Sequence, residues 1–264
     1  MDAVTRYAAG VEYVGTEFSG WQAIDQRRTV QNELERALAK VAAHPVATTA
    51  AGRTDSGVHG LQQVIHFDSA ASRSAYAWLL GVNSNLPADL SLRWIMPVPE
   101  RFHARYGALR RRYRYVVHNH RARSALLWQR TGWWPQTLDA TAMDAAAQCL
   151  AGEHDFSAFR DSQCQSPTAV RRVESIAVRR AGDFVVIDIC GNAFLHHMVR
   201  NITGTLALVG LGKQPVGWVA EILAGRDRRR AGMTAPAGGL YFVGPEYPAE
   251  FALPPPPRPW FPPL

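Results

Sequence analysis

Apolar and polar residues alternate with a period of two over residues 4–14, which predicts a strand in which one face is buried. The spacing then lengthens. Val30, Leu34, Leu38 and Val41 recur at helical intervals, and Thr29 precedes them with Asn32 and Glu33 three and four residues on, a loose capping signature. A helix over 29–42 follows from that pattern. Strands at 46–51 and 62–68, a helix at 73–82 and a strand at 91–98 complete a β-α-β-β-α-β order, the split arrangement of ferredoxin-like domains.

The second half repeats the order. Residues 112–118 read as a strand and the Ala-rich stretch 139–151 as a helix. Strands at 172–180 and 183–190 are joined by Ala181-Gly182, and helices at 194–211 and 215–224 precede a short strand at 239–243. The expected fold is α+β: two similar β-α-β-β-α-β halves forming a mixed or antiparallel sheet, with a catalytic cleft between them. The first half would span 1–105 and the second 106–246. Residues 247–264, with Pro254–Pro257, Pro259, Pro262 and Pro263, should form an extended tail, a strap on its own protein in preference to a ligand for a proline-reading domain.

Composition narrows the class. Of 264 residues 47% are hydrophobic and eight are Trp, so the chain can bury a core. Twenty-nine basic against 22 acidic residues leave a net charge of +7, which favours a polyanionic partner. Cys149, Cys164 and Cys190 are odd in number and widely spaced, fitting neither a disulfide framework nor a zinc site and suiting a reducing cytoplasm. No signal-peptide pattern opens the chain, and the most apolar stretch, 195–211, is interrupted by His196, His197, Arg200 and Asn201. No membrane span is expected.

Three segments carry candidate chemistry. In Ala51-Gly52-Arg53-Thr54-Asp55-Ser56-Gly57-Val58-His59-Gly60, glycines frame an aspartate between two strands, and Arg53 can favour its ionised form. Thr-Asp-Ser-Gly also makes an ordinary surface turn. In Arg110-Arg111-Arg112-Tyr113-Arg114-Tyr115, strand alternation puts Arg111, Tyr113 and Tyr115 on one face and Arg110, Arg112 and Arg114 on the other. Rings for base stacking beside guanidinium groups for phosphates suit RNA, although a charged edge strand would read alike. In Asn192 to Asn201, helical spacing sets His196 and Arg200 on one face, while adjacent His196 and His197 would diverge and not share a metal ion. The run Arg226, Arg228, Arg229 and Arg230 taken alone reads as a solvated helix end.

These motifs, with Phe18-Ser19-Gly20-Trp21-Gln22, Asn83 to Pro87, Phe102-His103-Ala104-Arg105 and Cys164-Gln165-Ser166, resemble in order those of the tRNA pseudouridine synthase A family, from about residue 6 to residue 250. The resemblance implies that Asp55 is the catalytic nucleophile, that Arg53 belongs to its loop and that Arg200 pairs with the catalytic carboxylate. It implies a substrate-binding set of Tyr113, Arg112, Arg114, Phe102 and His103, a cytoplasmic homodimer, neither metal nor organic cofactor, and uridines 38, 39 and 40 of the tRNA anticodon arm as targets. Ser56, where the family often has Ala, and Ile24, where it has Gln, depart from the pattern.

A tandem RNA-recognition protein without catalysis shares the element order, but Gln62 to Asp68 lacks the Gly-aromatic pattern that such a module places on its strand. A metal-dependent nuclease would need clustered carboxylates, which the sequence does not offer.

Overall fold

The computed structural model describes residues 4–258, so Pro259, Pro262 and Pro263 of the expected tail lie outside the described residues. In the first part of the chain, β1 (Thr5–Tyr13), α1 (Val30–Ala42), β2 (Thr49–Ala50), β3 (His59–Ser69), α2 (Ala75–Asn83) and β4 (Leu90–Pro97) follow in the expected order. Thr29 accepts the Asn32 N–H at 3.2 Å and so caps α1, whose Val30, Leu34, Ala37, Leu38 and Ala42 face the core. Ser74 caps α2 in the same way.

Then come β5 (Arg110–His118), β6 (Gly132–Trp133), α3 (Ala140–Ala147), β7 (Gly152–Asp155), β8 (Val170–Ala181), β9 (Phe184–Gly191), α4 (Met198–Gly210), α5 (Trp218–Gly225) and β10 (Leu240–Glu246). Two compact units result. One holds residues up to Leu109 together with Phe242–Arg258; the other holds Arg110–Tyr241. The fold class is mixed α+β.

In the first unit the strands lie in the order β4-β1-β3, with β2 and β10 both beside β3. β1 pairs antiparallel with β3 and β4, from Thr5 opposite Ser69 and from Tyr7 opposite Pro97. Helices α1 and α2 cover one face, where Tyr7, Phe67 and Trp78 form a triangle of rings 5.5–5.6 Å apart. On the other side Phe102 packs against Tyr247 and Phe251 at 5.0 and 5.1 Å, which ties the returning chain to this unit. Gln62 then donates to the Pro254 carbonyl at 3.1 Å, so the proline tail begins as a strap on its own unit.

In the second unit the order is β5-β9-β8-β7, with β6 parallel to β5 and the other pairs antiparallel. Among the described residues no helix is long and apolar enough to cross a membrane.

Three expectations change. The strand expected over 46–51 shrinks to two residues because side chains of α1 capture its backbone: Glu35 accepts the Thr48 N–H at 2.8 Å and Gln31 donates to the Thr48 carbonyl at 3.2 Å. The helix expected over 139–151 is α only to Ala147 and tightens to a 3-10 turn over Gln148–Leu150. The helix expected from 194 starts at Met198, because His197 adopts a left-handed backbone with φ +61°.

Burial makes one histidine of the first unit acid-sensitive. His66 Nδ1 accepts the Ala104 N–H at 3.2 Å, which requires an unprotonated nitrogen. Burial lowers its pKa to about 4, with the charges of His103 and Arg6 acting in the same direction. The unfolded chain therefore binds a proton at this site between about pH 6.5 and pH 4 that the folded chain does not, and stability falls as pH drops through that window. His66→Asn should flatten the fall in melting temperature between those limits, as measured by thermal denaturation at stepped pH. An unchanged pH slope would remove His66 as its source.

Candidate active site

Asp55 stands in the connection from β2 to β3, and the backbone around it is held from two sides. Within the loop, Val58 N–H donates to the Asp55 carbonyl at 3.1 Å, closing a tight turn whose third residue, Gly57, has φ +79°. That is the position where a type II turn needs a positive φ. From outside, Trp21 N–H donates to the Thr54 carbonyl at 3.0 Å, and the Ser56 hydroxyl donates to the Phe18 carbonyl at 3.1 Å. Gly15 N–H donates to His59 Nδ1 at 3.0 Å. The segment Gly15–Trp21 thus lies along the Asp55 loop as a backbone clamp.

Its closest approach is at Gly20, where φ is +88° and a Cβ would sit 2.9 Å from the Thr54 carbonyl oxygen. Phe18 and Trp21, both fully buried, anchor the clamp in the core. Below the loop the Tyr13 hydroxyl and Thr54 Oγ1 are 2.8 Å apart. Burial pushes the Tyr13 phenol well above its ordinary range and the negative charge of Asp55 pushes the same way, so Tyr13 remains a neutral hydroxyl. Asp55 is half-buried and Arg53 is exposed.

In the second unit, β5 sorts its arginines by depth. Arg112 is exposed. Arg111 donates to the Asn192 carbonyl at 2.7 Å, and Arg110 meets Glu174 at 3.0 Å. Arg114 is buried, and its fork grips Asp188, directly opposite on β9, at 2.7 and 2.9 Å. Its guanidinium, expected on a phosphate, is engaged inside the fold. Tyr113 is half-buried and meets the Phe194 ring edge-on at 5.0 Å. Tyr115 is wholly buried, and its hydroxyl donates to the Pro236 carbonyl at 2.8 Å.

Arg200 lies in the first turn of α4, where its Nε donates to the Ala235 carbonyl at 2.8 Å. Before that turn His196 and His197 stack 3.9 Å apart and both turn toward Asp161, at 3.4 and 2.8 Å. The two rings do not diverge as helical neighbours would, because neither is in the helix. Burial opposes ionisation of Asp161, but the Gln163 N–H and both histidines outweigh it and hold the carboxyl below its usual range.

Phe102 and His103, expected among substrate contacts, sit in the first unit. Phe102 is fully buried among Tyr247, Phe251 and His66. The His103 ring lies between His66 and Tyr106, and its Nδ1 accepts the N–H groups of Arg105 and Tyr106, both at 3.1 Å. In the 226–230 run, Arg228 is tied to the Gly232 carbonyl, Asn201 and Thr234, while Arg229 pairs with Asp227.

The profile of tRNA pseudouridine synthases matches residues 9–107 and 146–248, so it contains the whole Asp55 loop and its clamp. The chain belongs to the tRNA pseudouridine synthase family. It is 55% identical over 249 residues to a tRNA pseudouridine synthase A of Aeromonas hydrophila, covering 94% of this chain and 93% of that one. Its identity to the Klebsiella pneumoniae enzyme of the same name is 53% over 251 residues, covering 95% and 93%. Among solved structures, a chain of an H/ACA ribonucleoprotein bound to a substrate RNA aligns over 76% of this chain and 43% of its own length. Its identity is 12% and its TM-score 0.38, too weak a likeness to bear on function.

The motif residues that the sequence presented as a group are therefore of two kinds: Asp55 with a clamp built to hold it, and residues such as Phe102 and Arg114 that hold the fold. The sequence marks Phe18 to Gln22 only as a motif; the hydrogen bonds make it the clamp on the Asp55 loop. Asp161 and Asp188 carried no signal in the chain, since the His197 and Arg114 groups that engage them stand 36 and 74 residues away.

Gly20→Ala should forbid the clamp by both its φ and its contact with Thr54, costing about 1–3 kcal/mol. The expected outcome is a folded protein of lower melting temperature whose rate of pseudouridine formation drops at least about tenfold, since a misplacement near 1 Å costs more than that. A rate within twofold of the wild type would show that the clamp does not position Asp55.

Proposed function

We propose that this chain isomerises uridine to pseudouridine at positions 38, 39 and 40 of the tRNA anticodon arm, with the Asp55 carboxylate as nucleophile. Membership of the family makes it an isomerase acting on tRNA. The observation that carries the residue assignment is the Asp55 loop itself. A half-buried carboxylate is fixed by backbone bonds on both flanks, in a stretch the family profile covers from end to end.

The reaction asks for little else from side-chain chemistry. The N1–C1′ bond of uridine breaks, the uracil turns, and a C5–C1′ bond forms; the C5 proton is released and N1 gains one. Substrate and product are isomers, so the balance needs no oxidant, reductant or energy donor, and the proposal includes no cofactor. An ionised Asp55 serves whether it attacks the sugar, adds to the base or removes the proton. Arg200 is proposed as the cation that keeps it ionised, with Arg53 supporting its loop. The uridine must leave its stack to reach the carboxylate, at a cost of a few kcal/mol that contacts to the rest of the arm repay.

Tyr113 is proposed to meet the turned base, its half-buried ring held edge-on against Phe194. Arg112, exposed on the same strand, is proposed to meet phosphate. The same reading takes the enzyme to act as a homodimer in the cytoplasm.

Asp55→Asn keeps size and turn propensity and removes the charge. It should fold, bind tRNA about as tightly as wild type and form no detectable pseudouridine when unmodified tRNA is mapped by chemical labelling. Turnover within a few-fold of wild type would end the case for catalysis at this loop. For binding, tRNA affinity should fall steeply with salt, and Arg112→Ala should make the slope of log Kd against log salt shallower by about 0.7–0.9. A salt-independent affinity would remove the electrostatic part of the reading.

A further inference from the structure

Between Glu100 and Asp139 the chain has nine arginines and no acidic residue. The part of that run beyond β5 is used by none of the chemistry above, and residues 108–145 fall between the two stretches the family profile matches. β6 runs parallel to β5, so the connection 119–131 must travel out and return.

It does so as a fixed loop. Asn119 Nδ2 donates to the carbonyls of Trp134 and Gln136 at 2.9 and 2.7 Å, and Trp133 Nε1 donates to the His120 carbonyl at 2.8 Å. The Tyr241 hydroxyl donates to the Arg130 carbonyl at 2.6 Å, and Leu127 N–H reaches the Ser124 hydroxyl.

The loop also turns large side chains outward. Leu126 is 93% exposed, Trp128 59% and Trp133 41%, and Arg121 and Arg123 are exposed beside them. The Arg123 guanidinium lies 4.8 Å from the centre of the Trp128 ring, a cation–π pair in which the indole stays largely exposed. A large exposed indole on a rigid, purely basic loop marks a contact surface.

Charge decides between occupants. In a symmetric contact with a second copy this loop would meet either itself or another part of the chain, and meeting itself would oppose Arg121 and Arg123 to their own counterparts. A polyanion with flat rings complements it throughout. At the loop's base the Asp183 carbonyl accepts the Asn119 N–H at 2.7 Å and the Asp183 charge acts on His118.

We propose that loop 119–133 is a second RNA-binding surface. Arg121 and Arg123 take tRNA phosphates, and an unpaired base stacks on Trp128. The inference rests on tRNA being the substrate, and it adds a contact site outside the Asp55 chemistry.

The test is tRNA affinity by filter binding over a range of salt concentrations. Wild type is compared with Trp128→Ala, Trp128→Phe and Arg123→Ala, each checked for folding by circular dichroism. Loss of the stack should weaken binding by about tenfold in Trp128→Ala. Trp128→Phe should recover most of it, an outcome a merely structural role would not produce at so exposed a position. Arg123→Ala should make the salt slope shallower by about 0.7–0.9. If Trp128→Ala misfolds, Arg123→Ala alone decides.

Affinity and slope equal to wild type in the folded variants would overturn the proposal. A change in sedimenting mass of Trp128→Ala at unaltered tRNA affinity would overturn it too, and would assign the loop to a second copy of the chain. Wild-type pseudouridine formation is measured in the same tRNA. Its absence would strike the proposed function, while the binding comparison would still decide the loop.

Discussion

Two stretches of backbone, Gly15–Trp21 and Thr54–His59, approach until main-chain donors and acceptors meet, and the position of Asp55 depends on that approach. Hydrogen bonds from Gly15 N–H and Trp21 N–H, and one into the Phe18 carbonyl, pin the loop at three places without using the Asp55 side chain. The cores on either side set the distance. Phe18 and Trp21 are buried under one stretch, and Tyr13 is buried under the other, with its hydroxyl against Thr54.

The second unit applies burial to arginine. An arginine-rich strand gives one uniform electrostatic impression in sequence, but depth divides it. Arg114 is buried, so its charge must be matched, and Asp188 meets it in a two-bond fork from the opposite strand position. Arg179 adds a second cation to the same carboxylate at 3.1 Å. Nearer the start of the strand Arg112 keeps its exposure. Net charge therefore overstates the surface available to RNA: part of it is spent inside, and the 226–230 run is largely tied to Asp227, Asn201 and Thr234.

The histidine pair shows how a single backbone residue changes a chemical reading. With helical φ at His197, the neighbouring rings would point about 100° apart. With φ +61° the helix cannot start until Met198, the rings stack, and both face Asp161. The carboxylate in turn stays ionised against its burial because these partners favour the charge. Nothing in the local apolar spacing of 194–211 distinguishes the two outcomes, since Leu195, Met198, Val199 and Ile202 suit a buried helix in either case.

The sequence by itself determined the order of the main elements, the α+β class and the candidate aspartate. Each of these rests on local chemistry: a period of two or 3.6, a cap such as Thr29 that reaches three residues, a glycine such as Gly57 at a turn. Family membership was legible for a related reason, because the motifs that carry it are contiguous. Only the tertiary structure decided which motif residues are engaged inside the fold. Phe102 went to the core, Arg114 to Asp188 and the 46–51 strand to the side chains of Glu35 and Gln31. In every one of those cases the deciding partner lies 13 or more residues away along the chain, at a distance where spacing and propensity carry no information and only packing brings the groups together.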